Sequence, residues 1–257
     1  MRIDVNAFVG HYPFRPVPGG SPGALLEAMD RNGIEQAWIS HLAAIFWKDP
    51  AEGNQVLYRI ADSEPRFRPV PSVSLELPDW DRSLREAAER GAPCVRADPT
   101  RSGMGAGSGP MLDLVHACGE AGLPLLLAVR LEDVRQRHPG DRATDLDPAS
   151  LRALVRTHPA ARLIVTHADR ETIEQVHFGS TPGEAARILW DVSWIWGPPE
   201  DHLELLLGTV GIERFVFGTG MPLRIAENSV AKLDLLELTP ADRERIESGN
   251  LTAFGIR

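Results

Sequence analysis

The chain has 257 residues, of which 43% are hydrophobic and 25% are charged. This composition excludes disordered, collagen-like and coiled-coil chains, and the length allows one large domain or two small ones. The formal net charge is −9, from 27 Lys and Arg against 36 Asp and Glu, which disfavours binding to nucleic acid or to an anionic membrane surface.

Short β-rich apolar runs alternate with amphipathic segments along the whole sequence, which is typical of repeated βα units. Eight such runs predict strands that start near Arg2, Gln36, Arg68, Pro93, Leu123, Arg162, Ile188 and Arg214. The segments between them predict helices, and three carry clear capping signals. These three run from Ser21-Pro22 to Asn32-Gly33, from Asp147-Pro148 to before Pro159, and from Thr239-Pro240 to Gly249.

Eight βα units, one about every 32 residues, predict an α/β fold of the (β/α)8 TIM-barrel type with an extra C-terminal helix. A doubly wound sheet is the alternative, but no G-x-G-x-x-G follows the first strand. The glycines of residues 103–109 recur at every second position, and this stretch predicts either a flexible loop or a loop that closes over a ligand. No break in composition divides the chain, so we expect residues 1–257 to form a single domain.

Cysteine usage and apolar run length indicate a cytoplasmic protein. Cys94 and Cys118 lack CxxC spacing, so we expect neither a disulfide framework nor a cysteine zinc site. The longest apolar run, residues 123–129, is too short to span a bilayer, and the first residues do not resemble a signal peptide.

In a TIM barrel the active site lies at the C-terminal ends of the strands. Polar and aromatic residues end several of the predicted strands: Asn6, Phe8, His11, His41, Arg96, Asp98, Arg130, His167, Asp169, Asp191, Ser193, Trp194 and Thr219. We expect a pocket to form among these side chains.

Several strand ends lie within sequence frames that resemble the amidohydrolase-related family of metal-dependent TIM-barrel hydrolases and decarboxylases. The family opens with I-D-x-H-x-H, and residues 3–8 keep its first two positions. Residues 122–128 resemble its G-L-P-x-x-x-H frame, residues 164–167 its histidine at the end of strand six, and residues 217–222 its F-G-T-D-x-P motif. The resemblance implies the barrel fold and an activity on small molecules.

The resemblance also implies five metal-ligand positions, and only His167 keeps a ligand. Asn6 and Phe8 stand where the first strand of the family has two histidines, Ala128 replaces a third histidine, and Gly220 replaces the aspartate. A phenyl ring, a methyl group and a hydrogen atom cannot coordinate a metal, and a neutral amide is a weak ligand. We therefore expect no metal cofactor.

Arginine can supply positive charge in place of a metal. If Ala128 faces the barrel interior, Arg130 faces the same way nearer the mouth, and Arg96 ends strand four in a similar setting. We predict that Arg130, helped by Arg96, binds an anionic substrate group while His167 acts in acid/base catalysis. The alternative is that both arginines pair with local acids, namely Glu132, Asp133 or Asp98.

The other predicted substrate-binding residues are Asn6, Phe8, His11, His41, Asp169 and Trp194. Trp194 lies near the end of the Trp-rich strand of residues 190–196, where it would form an aromatic wall. This combination favours a small, anionic and aromatic substrate.

The leading interpretation is a hydrolase of a lactone, ester or amide, or a decarboxylase, that acts on a small organic acid without the usual metal. One rival is a catalytically inactive barrel that serves as a ligand-binding or assembly subunit. The other is a metal enzyme, with zinc for example, whose ligands are displaced to His11, His41 and His167. Homo-oligomers are compatible with all three.

Overall fold

The computed structural model describes residues 1–105 and 107–256, and its centre is a set of eight parallel strands. Their bounds are β1 Ile3–Val9, β2 Gln36–His41, β3 Phe67–Pro69, β4 Val95–Ala97, β5 Leu125–Ala128, β6 Leu163–Thr166, β7 Ile188–Asp191 and β8 Phe215–Val216. Each begins within two residues of its predicted start. The periodicity of the sequence therefore located every strand.

The strands close into a barrel. Neighbours pair in parallel in two groups, β1 to β3 and β4 to β8. A parallel bridge between Ser72 and Arg96 joins the groups on one side. On the other side the backbone N–H of Val5 donates to the carbonyl of Phe217 at 3.1 Å. These links complete the predicted TIM barrel and bring all eight strand ends to one mouth.

Helices follow the strands and cover the barrel. Their bounds are α1 Pro22–Arg31, α2 Ala51–Ser63, α3 Asp81–Glu89, α4 Gly109–Ala121, α5 Pro148–Thr157, α6 Arg170–Phe178, α7 Pro182–Ala185, α8 His202–Leu206, α9 Ala226–Leu235, α10 Pro240–Glu244 and α11 Asn250–Ala253. The predicted N-caps form, because Ser21, Asp147 and Thr239 each accept a backbone N–H in the first turn of α1, α5 and α10. None of the described helices has both the length and the apolar character that a bilayer crossing requires.

Two predicted bounds differ from the structure. The closing helix does not end by Gly249, because a π-helical turn over Arg245–Gly249 connects α10 directly to α11. In the glycine-rich stretch 103–109, Gly109 is the first residue of α4, since Pro110 suits the first turn of a helix. Ala106 lies outside the described residues.

The core has an inner and an outer layer because each strand is buried on both faces. On β5, Leu126 packs inside the barrel with Ile164 of β6, whereas Leu125 and Leu127 pack outward against the helices. The alternation directs Ala128 inward, toward the centre of the mouth. The strand ends therefore deliver their last side chains to the candidate site.

Candidate functional site

A buried hydrogen-bonded group lies at the centre of the barrel mouth. It joins Asn6 of β1, His167 after β6 and Asp191 of β7, whose side chains are all almost completely buried. The amide Nδ2 of Asn6 lies 2.8 Å from Nε2 of His167 and donates to Oδ2 of Asp191 at 3.0 Å. Oδ1 of Asp191 accepts the backbone N–H of His167 at 2.9 Å. The carboxylate thus fixes both of the other residues.

His167 is held as a neutral imidazole. Its Nδ1 lies 2.7 Å from the carbonyl oxygen of Arg130, and because a carbonyl can only accept, Nδ1 carries the proton. Nε2 keeps its lone pair and accepts the amide N–H of Asn6. Burial, reinforced by the nearby cation of Arg224, holds the pKa of His167 well below its ordinary value.

The backbone of His167 is in the left-handed region, with φ of +56°. Histidine adopts this conformation more readily than most residues, but it still costs stability. With this backbone conformation, Nε2 of the imidazole lies 2.8 Å from the side chain of Asn6 on β1. Sequence periodicity gives no sign of this conformation.

The residues at the five implied ligand positions do not fit a metal ion. Asn6 points an N–H donor at the only lone pair of His167. A Cβ at Gly220 would lie 2.8 Å from Nε2 of His167 and 3.1 Å from Cδ of Arg224, so the space of a carboxylate ligand is filled. Phe8 and Ala128 offer no donor atom. These five positions therefore do not form the metal site that the family resemblance implies.

Arg130 follows β5 by two residues, and its guanidinium is paired with acids. Nε lies 2.8 Å from Asp145 and Nη1 lies 2.7 Å from Asp169. The guanidinium also lies 5.5 Å from the ring centroid of Trp194. Neither Glu132 nor Asp133 forms this ion pair within the part of the chain that the structure describes. Binding of an anion by Arg130 stays a prediction.

Arg96 is buried in the barrel, where its guanidinium lies 4.7 Å from the ring centroid of Phe8. Its Nε lies 3.4 Å from Asp98, the local acid named among the alternatives, and Nη1 donates to Ser40. Nε and Nη2 have no hydrogen-bond partner. Burial lowers the pKa of Arg96, and Asp98 opposes that shift. Arg96 is thus enclosed beneath the site and does not face solvent.

The remaining predicted residues lie apart from the central group. His11 is exposed, and His41 is buried with Nδ1 accepting the N–H of Ala44 at 3.1 Å. Asp169 caps α6 by accepting the N–H of Thr172 at 2.9 Å and also holds Arg130. Among residues 1–105 and 107–256, the histidines 11, 41 and 167 do not form a group that could hold a metal.

Arg224, which the sequence reasoning missed, is a partly buried cation of the site. Its guanidinium stacks on Trp194 at 3.5 Å from the ring centroid, and its Nε is buried without a hydrogen-bond partner. In the described part of the chain it has no carboxylate within ion-pair distance. Burial lowers its pKa to about 10, so it remains charged at neutral pH. Its position directly after the motif of residues 217–222 is the one sequence feature that could have identified it.

Arg224 and Trp194 border a cleft of about 370 Å³ at the ends of β7 and β8. The cleft also includes Ser193, the exposed Trp196 and Lys232 of α9. Arginine and tryptophan side chains together suit a flat ring that carries a carboxylate. The cleft thus combines a cation with an aromatic ring face.

Lys232 fixes the segment that carries Trp194. Its Nζ donates to the carbonyl oxygens of Val192 at 2.7 Å, Ser193 at 3.1 Å and Ile195 at 2.9 Å. Burial lowers the pKa of Lys232 to about 8. All three carbonyls belong to the turn after β7, so Lys232 keeps the wall of the cleft in place.

The comparisons with known proteins agree with this fold. A family model described as Amidohydrolase matches residues 12–253. No curated protein matches the chain in sequence.

Similar solved structures cover almost the whole chain. 5-carboxyvanillate decarboxylase from Sphingomonas paucimobilis has a TM-score of 0.75 and 13% identity, covering 100% of this chain and 99% of that chain. 2,6-dihydroxybenzoate decarboxylase from Rhizobium has a TM-score of 0.73 and 16% identity, covering 99% and 98%. Dihydroxybenzoic acid decarboxylase from Polaromonas sp. JS666, with bound manganese and 2-nitroresorcinol, has a TM-score of 0.74 and 14% identity, covering 98% and 96%. At these identities the likeness establishes a shared fold.

Proposed function

Because the chain belongs to the amidohydrolase family, whose model matches residues 12–253, we propose that it is a decarboxylase of small aromatic carboxylic acids that works without the metal ion of its relatives. The observation that carries the proposal is the stack of Arg224 on Trp194 in an open cleft at the barrel mouth. Aromatic-acid decarboxylases among the similar structures support this choice of reaction over hydrolysis.

The carboxylate of the substrate binds Arg224, and its ring lies against the tryptophans of the cleft. Arg224 is suited to this role because, in the described part of the chain, its nearest acids act on it only from beyond ion-pair distance. A charge-assisted hydrogen bond of this kind contributes about 1.5–3 kcal/mol. Arg130 is a second anion site only if it releases Asp145, whose side chain is 41% exposed, and exposed ion pairs are weak.

His167 transfers the proton in this proposal. Nε2, which holds a lone pair and no proton, takes the proton of the substrate's phenolic hydroxyl and delivers it to the ring carbon that carries the carboxylate. The bond between ring and carboxylate then breaks, CO2 leaves, its electron pair restores the ring as a phenolate, and the phenolate takes a proton from water. Nε2 is the ring nitrogen that no backbone carbonyl holds. His167 is completely buried, and the ring centroid of Trp194 lies 5.6 Å from that of its imidazole. Trp194 and Arg224 must therefore shift when the substrate binds.

The second candidate is a barrel that binds the same acids without converting them. The observation that favours it is the burial of His167, with both nitrogens hydrogen-bonded. In that case the cleft beside Trp194 offers a cation and a ring face, while its Asp133 is paired with Arg135 and its Lys232 is bound to three carbonyls. The two candidates share the ligand and differ in turnover.

The test measures binding and turnover separately. Purified protein, with and without EDTA, is titrated calorimetrically with 2,6-dihydroxybenzoate and 5-carboxyvanillate, and CO2 and phenol formation are followed by gas analysis and chromatography. We expect both binding and turnover, and EDTA should change neither. The variant Arg224→Gln should bind about 10- to 100-fold more weakly because the charge-assisted bond is lost. The exposed Arg59→Gln variant is the matched control and should behave as wild type.

Each other outcome has a definite meaning. Binding without product in wild type supports the second candidate. Turnover that EDTA abolishes and manganese restores contradicts the metal-independent reaction. Equal affinity in Arg224→Gln and wild type removes Arg224 from the site, and the absence of binding by wild type overturns both candidates.

A further inference from the structure

We propose that the outer surface of the barrel carries a separate site for a transition-metal ion, formed by His116, Glu120 and His158. One ligand atom from each of these side chains lies within 4.8 Å of the others. His116 and Glu120 are four residues apart on α4 and therefore share one face of the helix. His158 follows α5 directly and completes the group from the neighbouring helix.

The third ligand is held against α4 by close packing. The rings of His116 and His158 meet edge to face at a centroid distance of 4.8 Å. A Cβ at Gly119 would lie 2.4 Å from Nδ1 of His158, so only glycine leaves room for the imidazole. The side chain of His158 is only 16% exposed, whereas that of Glu120 is 65% exposed. The group thus has a fixed inner ligand and an outer side open to solvent.

The donor set selects the class of metal. Two imidazole nitrogens and one carboxylate oxygen suit zinc, nickel, cobalt or copper, whereas magnesium and calcium prefer oxygen ligands alone. Two neutral imidazoles and one carboxylate carry a net charge of −1, which favours a divalent cation. The remaining coordination positions face solvent and can be filled by water.

Binding requires one rearrangement of protons. Nδ1 of His158 accepts the N–H of Ala160 at 3.1 Å, so Nε2 carries the proton and donates to Glu120 at 3.1 Å. When a metal binds Nε2, the proton of Nε2 is lost from that atom and Nδ1 carries a proton instead. The backbone N–H of Ala160 then donates to water in place of Nδ1. Ala160 is exposed, so this exchange leaves no buried donor without a partner. No proton is gained or lost overall.

The site is remote from the barrel mouth. In a TIM barrel the helices run back from the strand ends, so the C-terminal ends of α4 and α5 lie at the opposite face. Occupation of this site would tie the two helices together. Its test is therefore independent of the function proposed for the mouth.

The experiment uses zinc alone as the probe. Protein freed of metal by EDTA and dialysis is titrated with zinc sulfate by calorimetry, and thermal unfolding is recorded with zinc, nickel or magnesium. We expect one zinc ion per chain and a higher unfolding temperature with zinc and nickel but not with magnesium. Because His116 and Glu120 are exposed, the variants His116→Ala and Glu120→Gln should fold normally and bind zinc at least about tenfold more weakly.

His177→Ala, which removes a histidine from α6, is the control and should bind zinc as wild type does. Equal zinc affinity in wild type, His116→Ala and Glu120→Gln would place the metal elsewhere and overturn the proposal. The absence of zinc binding by wild type would overturn it as well.

Discussion

At the scale of single residues, the chemistry of the site depends on which of its side chains are charged. Asn6, His167 and Asp191 form a group in which one carboxylate fixes an amide and a neutral imidazole. The cations Arg96, Arg130 and Arg224 surround this group, and each of them depresses the pKa of His167. Positive charge at the mouth is thus carried by arginines, although the chain as a whole is acidic.

We predict that His167 stays neutral across the physiological range. Burial and the charge of Arg224 oppose its protonation, and the carbonyl of Arg130 fixes the proton on Nδ1. Nitrogen NMR of labelled protein should show an unprotonated Nε2 that does not titrate between about pH 5.5 and 8. The nitrogen resonances of His167 are assigned as those that are missing from the spectrum of the His167→Gln variant. A midpoint near the ordinary histidine value would contradict the prediction.

A second prediction concerns Asp4, which is buried beside the strand that closes the barrel. It accepts hydrogen bonds from Thr219 and from the N–H of Asn6, but burial dominates and raises its pKa from 3.8 to about 6. Its contribution to stability is therefore fully present below pH 3.8 and is lost as the pH rises through about 6.

The comparison with Asp4→Asn isolates this effect. Between about pH 4 and 7 the free energy of unfolding of wild type should fall by up to about 3 kcal/mol relative to the variant. Urea unfolding at a series of pH values measures the difference. Parallel curves for the two proteins would show that Asp4 does not titrate in this range.

At the scale of elements, α9 and the turn after β7 form one unit through Lys232. Lys232→Met would leave three carbonyls of that turn without their donor. We expect a loss of at least about 1–3 kcal/mol in the free energy of unfolding, and weaker binding of aromatic acids because Trp194 loses its support. Denaturant unfolding and calorimetry measure the two effects.

Lys48→Met is the control, since Lys48 is exposed. If both lysine variants were as stable as wild type, the three hydrogen bonds of Lys232 would not stabilise the turn.

Strand β1 shows why alternation alone misplaces side chains. Its register against β2 shifts between Asp4 and Ala7. As a result Val5 packs inside the barrel and Phe8 also lies over the buried Arg96, although the two positions are three apart and strict alternation would put them on opposite faces. Such irregularities redirect side chains near active sites and leave no mark in hydropathy.

At the scale of the whole molecule, closure of the barrel links the first and last strands. Val5 of β1 bonds Phe217 after β8, so the two ends of the chain stabilise each other. We propose that the chain is a single domain, as the even composition of the sequence suggested. Thermal unfolding followed by circular dichroism and by tryptophan fluorescence should then give one coincident transition. Two separate transitions would indicate two domains.

The sequence by itself determined the barrel, because the spacing of apolar residues and the residues that cap helices are local properties of the chain. It located all eight strands and the N-caps at Ser21, Asp147 and Thr239. It also placed His167 at the end of β6.

Only the tertiary structure decided how those residues meet. The pairing of Arg130 with Asp145 and Asp169, the stacking of Arg224 on Trp194, and the cluster around His158 all join residues from separate segments of the chain. Such contacts depend on loop paths and on positive φ at His167, which no local pattern encodes. The fold could therefore be predicted from the spacing of apolar residues along the sequence, whereas the charge distribution of the site depends on packing between distant segments.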